Sequence, residues 1–427
     1  MLSPTLNKVK SERLHGEFGI EMEGLRVEPS GFLAHTPHPF GKHAHIERDF
    51  SENQIEINTG VEKSATAAVK ALGGYYRKIQ KVLRELPAPE YLWPFSNPPY
   101  IRNEEDIPIA RFSGEELAKT TYREYLSDRY GRYKMTFSGI HVNYSFSEKF
   151  LREQYEKSGE DNYIEYKNQL YIQLAEKMLA YSWLLVAVTA ASPLADISFV
   201  EKGSCKEDVF LGLASIRCSE LGYWNFFTPV LSYENLASYI SSLESYIEKR
   251  WIQAPSELYY PVRVKPKGKN TLENLKKSGI NHIELRMFDL NPLTEFGIEE
   301  RDVEFVQLLL GWLVSLPKLD LEEKDQIQAI QNMKHAAHYD LKTVKIGMPD
   351  GKAVFAVEAA LEVLQQMKNF YKDFAEHEDI FKVLTFEEEK FLDPSKRYAW
   401  QVRTRYGQGY VEKGLALAAR KQVSTDV

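Results

Sequence analysis

Only two cysteines, Cys205 and Cys218, occur in 427 residues, and neither belongs to a CxxC pair. That scarcity argues against a disulfide framework and against a cysteine zinc site, and fits a reducing compartment. Long apolar runs are also missing. The greasiest window, MLAYSWLLVAVTAASPLA from Met178, is interrupted by Ser182, Thr189 and Pro193, and reads as a buried helix rather than a membrane span. The opening MLSPTLNKVKSERLHGEF has no apolar signal-peptide core, so a cytoplasmic location is expected. There the sequon Asn143-Tyr144-Ser145 carries no glycan. With a formal charge of -7 and no basic stripe, the chain is not expected to bind nucleic acid or a membrane surface. GxxxxGK[ST] and HExxH are absent, and Gly407-Gln408-Gly409 lacks the third glycine and the strand context of a dinucleotide fingerprint.

What is present is ordinary in bulk: 43% hydrophobic and 27% charged residues, enough to bury a large core. The aromatic share of 12% suits deep, well-packed clefts. Neither repeats nor a Gly/Ser-rich linker divide the chain, so residues 1–427 are expected to form a single unit, with a sheet-bearing core over 1–293 and a mainly helical part over 294–427. Apolar spacing at three and four predicts helices over Glu62 to Glu85, Asn162 to Thr189, Tyr233 to Lys249, Ile298 to Leu316 and Lys352 to Glu376. Helices and strand-like runs do not alternate strictly, which favours an α+β fold with an antiparallel sheet.

The informative pattern lies in the strand-like runs. Successive side chains of an extended segment alternate faces. In GIEMEGLRV this sets Ile20 and Met22 against Glu21 and Glu23; in QIEI, Ile55 and Ile57 against Gln54 and Glu56. GIHVNY opposes Ile140 and Val142 to His141 and Asn143, and ASIRCS opposes Ile216 to Arg217. YPVRVKP opposes Val262 and Val264 to Arg263 and Lys265, while NHIELRMF opposes Ile283, Leu285 and Met287 to His282, Glu284 and Arg286. A solvated strand face would mix Thr, Ser, Lys and Gln. Here it gathers carboxylates, which repel one another unless cations neutralise them and which suit Mg²⁺ or Mn²⁺. Arginines among them suit a polyphosphate held by metals and guanidinium forks together. Six such runs predict a metal–nucleotide site on one sheet face.

Two further features are weaker. His35, His38, His43 and His45 in HTPHPFGKHAH have the look of zinc ligands, but the intervening prolines and glycine read as a structured loop. Tyr122 and Arg123 in TTYREYLSDRYG could set an arginine on a lid over phosphates, or simply lie on a helix surface.

With these stretches in view, the chain resembles the glutamate–cysteine ligases, above all the first module of bifunctional bacterial glutathione synthetases. The resemblance rests on FGIEMEGLRV, RDFSENQIEI, LWPFSNPPYI, TYREYLSDRYG, MTFSGIHVNYSF, SIRCSELGYWN, LYYPVRVKP and GINHIELRMFDLNPL, in order between about residues 17 and 293. It implies a glutamine-synthetase-like fold with a six-stranded antiparallel sheet whose concave face holds ATP and Mg²⁺. It implies metal ligation by Glu21, Glu23, Asp49, Glu56, His141 and Glu284, and phosphoryl contacts from Arg217 and Arg286 with Arg123 on a lid. Tyr122 and Tyr223 match a cysteine pocket, with Leu126 and Phe137 beside them, and Arg263 falls among the substrate-binding residues.

The implied reaction joins the γ-carboxylate of L-glutamate to the amine of L-cysteine at the cost of ATP, as the first step of glutathione synthesis. A monomer or weak homo-oligomer is expected. Matching is looser after Asn291 and no ATP-grasp module follows, so only that first step is expected. Departures cluster near the substrate positions: Glu47 and Arg48 precede Asp49 where relatives carry small hydroxyl residues, Val142 follows His141 where an aromatic is usual, and Cys218 follows Arg217. The same ligase chemistry on another amine stays open, as does a catalytically silent nucleotide or amino-acid sensor.

Overall fold

In the computed structural model, which describes residues 12–204, 207–348 and 351–423, strand β1 (Gly16–Val27) is the axis on which the rest is assembled. Cys205 and residues 1–11 lie outside the described residues. The other sheet strands are β2 (Ile46–Arg48), β3 (Gln54–Asn58), β4 (Tyr91–Leu92), β5 (Gly139–Phe146), β6 (Val262–Lys265) and β7 (His282–Asp289). They run in the order β2-β3-β1-β5-β7-β6, every neighbour antiparallel, with β4 paired to the far end of β1.

The α+β class with an antiparallel sheet is therefore as expected, but the membership differs. The sheet has seven strands rather than six, and ASIRCS supplies none of them. Residues Ile216–Cys218 form a turn, because the Ser215 hydroxyl takes the Cys218 amide at 3.1 Å and donates to Asp289 at 3.0 Å. Such side-chain bonds to backbone compete with a ladder and win here. The two strands not expected are β2 and β4, whose three and two residues are too few to show a period in the sequence.

Among the described residues twelve helices surround the sheet: α1 (Ala65–Arg84), α2 (Leu117–Tyr130), α3 (Glu148–Ser158), α4 (Tyr163–Thr189), α5 (Leu236–Glu248), α6 (Leu272–Ser278), α7 (Glu300–Ser315), α8 (Glu323–Ala336), α9 (Ala356–Tyr371), α10 (His377–Leu392), α11 (Tyr398–Tyr406) and α12 (Tyr410–Val423), leaving aside single-turn segments. The five expected helices are α1, α4, α5, α7 and α9. The last begins later than its apolar spacing suggests, since Ala353–Phe355 is drawn into a hairpin with Lys345–Gly347.

Helix α4 is the greasy window, buried along nearly its whole second half. Asn162 caps it by accepting from Ile164 and Glu165 amides, and the Ser182 and Thr189 hydroxyls are satisfied by carbonyls of their own helix. Each fully buried Leu or Val there contributes about 1.5–3 kcal/mol relative to exposure. One continuous core joins α4 to the apolar sheet face (Ile20, Met22, Ile57, Val142, Leu285) and to Leu309, Val363 and Leu384 of the later helices. With that face covered, the charged face is the one left to the cleft.

Candidate active site

Strand pairing brings the charged residues together. Glu21 lies directly across from His141, Glu23 across from Glu56, and Glu284 is flanked by Asn143 on one side and Arg263 on the other. A bulge opposite His141 sets Arg286 and Met287 against that single residue, which turns Arg286 toward the imidazole while Phe288 returns to the core.

Glu21, His141 and Glu284 each offer a ligand atom, all within 4.8 Å of one another. His141 Nδ1 lies 3.1 Å from Glu21 and 4.0 Å from Glu284, and Nε2 lies 4.0 Å from Glu23. Asn143 donates to the other Glu21 oxygen at 2.9 Å. Burial and the Glu284 charge push Glu21 up, yet the His141 hydrogen bond and Lys265 outweigh them and hold it at about 2. Burial likewise raises Glu284, but Arg286, Lys265 and Arg263 keep it well below the carboxylate range. His141 is driven down to about 4, chiefly by burial and then by the Arg286 charge. A neutral imidazole with a buried, unpartnered Nε2 is in the state a metal ligand requires.

A second acidic group adjoins the first. Glu23 accepts the Gly139 amide at 2.9 Å, and burial, then the Asp49 charge, push it up to about 8. Glu56 is raised well above its ordinary value by burial and by Asp49, Glu21 and Glu23; Asp49 is raised by burial against the pull of Arg123. Three mutually repelling carboxylates beside a triad of two carboxylates and one imidazole form a hard-oxygen donor set. Mg²⁺ and Mn²⁺ both fit it, and the orphaned His141 Nε2 is an atom such an ion would satisfy.

The arginines divide by where their forks are spent. Arg217 comes from the turn, not from a strand, and donates to the backbone carbonyls of Arg286 at 2.9 Å and Phe288 at 3.3 Å, leaving Nε without a partner. Arg286 is 3.3 Å from Glu284 and 3.4 Å from His141. Arg123, on α2, is bound to the Asp49, Lys119 and Arg48 carbonyls, so in this conformation it ties α2 to the end of β2. Arg263 donates to the Ser256 and Leu258 carbonyls and stands 3.9 Å from Glu284.

Tyr122, Leu126 and Tyr223 belong to one apolar cluster, and Phe137 stacks on Tyr223 with ring centroids 6.2 Å apart. Two cavities adjoin these residues. A cavity of about 40 Å³ reaches Arg217, Arg286, Tyr223 and Tyr259. One of about 550 Å³ reaches Glu21, Asn143, His282, Lys63 and Lys267.

Of the residues expected at the site, the acids, His141, Arg217, Arg263 and Arg286 come together at this face, Arg123 reaches the Asp49 carbonyl from α2, and Tyr122, Leu126, Phe137 and Tyr223 lie in the adjoining aromatic clusters. Sequence reading missed three contributors. Lys265 is the nearest cation to Glu284, at 2.8 Å. Gly139 gives Arg217 its space, and Phe50 joins the Tyr122 cluster. Alternation marked Lys265 as polar; nothing local marked Gly139. The loop histidines form no metal cluster among the described residues: His35 contacts Asp106, His38 packs on Phe40, His43 contacts Lys78 and accepts the His45 amide at 3.1 Å, and His45 meets the Asn58 carbonyl. Among the described residues the Glu21 triad is the one cluster with metal-ligand spacing.

A sheet of this kind turns acids and guanidinium groups into a cleft over a covered apolar face, a donor set suited to divalent cations and anionic ligands together. The sequence profile of the glutamate-cysteine ligase family matches residues 5–251 and 247–336, and the chain belongs to that family. It is 33% identical over 420 residues to a glutathione biosynthesis bifunctional protein of Listeria monocytogenes, covering 95% of this chain and 54% of that one. A counterpart from Clostridium perfringens is 32% identical over 437 residues, covering 97% and 55%. The chain therefore spans about half the length of these relatives. Among solved structures, a bifunctional glutathione synthetase from Pasteurella multocida superposes with a TM-score of 0.84 at 26% identity, covering 98% of this chain and 54% of that one. A glutamate–cysteine ligase from Francisella tularensis, in complex with AMP, shares the fold with a TM-score of 0.85 at 24% identity, covering 96% and 89%.

Proposed function

We propose that this chain, acting as a single catalytic unit, joins the γ-carboxylate of L-glutamate to the amine of L-cysteine, consuming ATP and releasing ADP and phosphate. The observation that carries the reading is the adjacency of the two acidic groups to Arg217 and Arg286 on one face. That is what a polyphosphate and a carboxylate need in order to approach each other despite like charge. Glu21, His141 and Glu284 would hold one ion and Glu23, Asp49 and Glu56 the next; Mg²⁺ there supplies neutralisation of the phosphate charge. Mn²⁺ satisfies the same donors.

In the first step a glutamate γ-carboxylate oxygen bonds to the γ-phosphorus as the bond to the ADP oxygen breaks, giving γ-glutamyl phosphate. Arg217 and Arg286 orient the transferring group and spread its charge. In the second step the amine nitrogen bonds to the acyl carbon, the C–O bond to phosphate breaks, and the amine gives up its proton. The larger opening, beside Glu21 and His282, has room for the nucleotide. The aromatic wall of Tyr122, Leu126, Phe137 and Tyr223 suits a small, weakly polar acceptor side chain, and excludes water from the acyl phosphate.

The test is to mix purified protein with ATP, Mg²⁺, L-glutamate and a panel of amines, following ADP and product mass. Cysteine-dependent ADP release with a γ-linked dipeptide is expected. Release only with a different amine would reassign the acceptor, and nucleotide binding without turnover would make the chain a sensor.

A further inference from the structure

A buried carboxylate stands behind the aromatic wall. Glu257 is fully buried at the end of a short turn, Pro255–Glu257, and four groups converge on its carboxylate. Tyr130 donates to Oε1 at 2.7 Å and Tyr125 at 3.2 Å. Arg129 Nε stands 3.2 Å from the same oxygen, and the Gln253 amide donates to Oε2 at 2.6 Å. Three of the four come from the C-terminal half of α2; the fourth closes the turn on itself.

Both elements so joined carry acceptor-side residues. Helix α2 bears Tyr122, Arg123 and Leu126. The turn bears Ser256, whose hydroxyl donates to Tyr122 at 3.1 Å and whose carbonyl accepts from Arg263 at 2.8 Å, and Leu258, whose carbonyl also accepts from Arg263. Asn225 locks the far side. It donates to the Glu257 carbonyl at 2.9 Å and to Tyr130 at 3.2 Å, and accepts the Tyr259 amide at 3.0 Å. Tyr259 in turn packs edge-on to Tyr223 at 4.6 Å. Only Thr120 and Leu126 of α2 are buried, and its remaining ties are polar or ring-edge contacts, among them Arg129 to the Trp251 carbonyl at 2.6 Å, Lys119 to Glu47 at 3.2 Å, Glu124 to Arg111, and Tyr130 edge-on to Tyr259 at 5.3 Å. Its placement over the cleft is thus set by polar and ring-edge contacts, densest around Glu257, rather than by a packed stripe.

We propose that Glu257 is a positioning residue for the amine acceptor: it fixes the distance between the Tyr122–Leu126 wall and the Tyr223–Tyr259 wall, and touches no substrate itself. This rests on the ligase reading above for the identity of the ligand, while the clamp stands on the contacts alone. Bonds to a buried carboxylate are among the stronger ones. Glu257→Gln replaces an acceptor-only group with an amide that still fits the space but presents a donor to one of its donors.

The expected result is a rise of about tenfold or more in KM for the acceptor amine, with KM for ATP and glutamate within about twofold of the unmodified protein. Hydrogen exchange, without any ligand, should quicken across 117–130 and 252–259 and remain unchanged in β1, β5 and β7. Should Glu257→Gln not fold, Tyr130→Phe, which removes a single bond, reads the same split at smaller amplitude. An unchanged acceptor KM, or all three KM values rising together, would overturn the proposal, as would exchange that quickens across the whole chain. Because the exchange arm needs no turnover, it decides the clamp even if cysteine-dependent ligation fails.

Discussion

Lys265 Nζ stands 2.8 Å from Glu284 Oε1, on the neighbouring strand, and this contact holds an otherwise costly buried carboxylate in its charged form together with Arg286 at 3.3 Å. Glu284 is also a member of the triad with metal-ligand spacing. Glu284→Gln keeps the shape and removes the charge. Turnover should fall by about 10²–10³-fold, the scale on which preorganised electrostatic groups act, while circular dichroism keeps the native spectrum. Near-normal rates would contradict a metal-holding role.

The second acidic group makes a pH prediction of definite sign. In the folded chain Glu23 titrates at about 8 against an ordinary 4.5, and Glu56 and Asp49 are raised too. A carboxyl raised on folding stabilises fully below its unfolded value, and that contribution is lost as pH climbs through the folded one. His141, lowered to about 4 from 6.5, acts in the opposite sense only below 6.5. With a chelator present, thermal stability should therefore decline from about pH 6.5 to 8 and beyond, and Mg²⁺ should abolish much of that decline. Calorimetry in buffers of different ionisation enthalpy should show protons released on Mg²⁺ binding. A metal-free stability that rises over that window would refute the assignment.

Gly139 is where β5 passes Arg217. A Cβ there would lie 2.3 Å from the guanidinium carbon, inside contact distance. Gly139→Ala should displace Arg217 and lower turnover by about a hundredfold, in line with the cost of misplacing a reacting group by an ångström. Nucleotide affinity measured by calorimetry should change far less. Equal loss of both would mean that the strand, rather than the arginine, had been disturbed.

Arg26 and Glu90 supply a stability test away from the chemistry. Both are essentially buried, 2.6 Å apart, and Arg26 also donates to Thr36 and to the Glu52 carbonyl. Glu90→Ala strands the guanidinium in the core, and urea unfolding should report a loss of about 3–5 kcal/mol. Material that still folds should retain most of its turnover per molecule, since neither side chain faces the cleft acids.

The sequence by itself determined which side chains share a face. Tetrahedral carbon stereochemistry makes an extended chain alternate, so Glu21, Glu23, Glu56, His141 and Glu284 were legible as one polar set before any strand was paired with another. It also determined the buried helix from Met178 and the absence of any helix, among the described residues, long and apolar enough to cross a membrane. What only the tertiary structure decided is everything that depends on register. Glu21 meets His141 across 120 residues of chain, and Glu23 meets Gly139 across 116. No local preference carries that information; the bulge opposite His141 and the packing of the apolar face on α4 supply it. Arg217 shows the limit most clearly. Its alternation with Ile216 looked like a strand, yet Asp289 and Ser215 fold it into a turn that reaches the same face, because side-chain hydrogen bonds made available only by the assembled sheet outweigh a two-residue period.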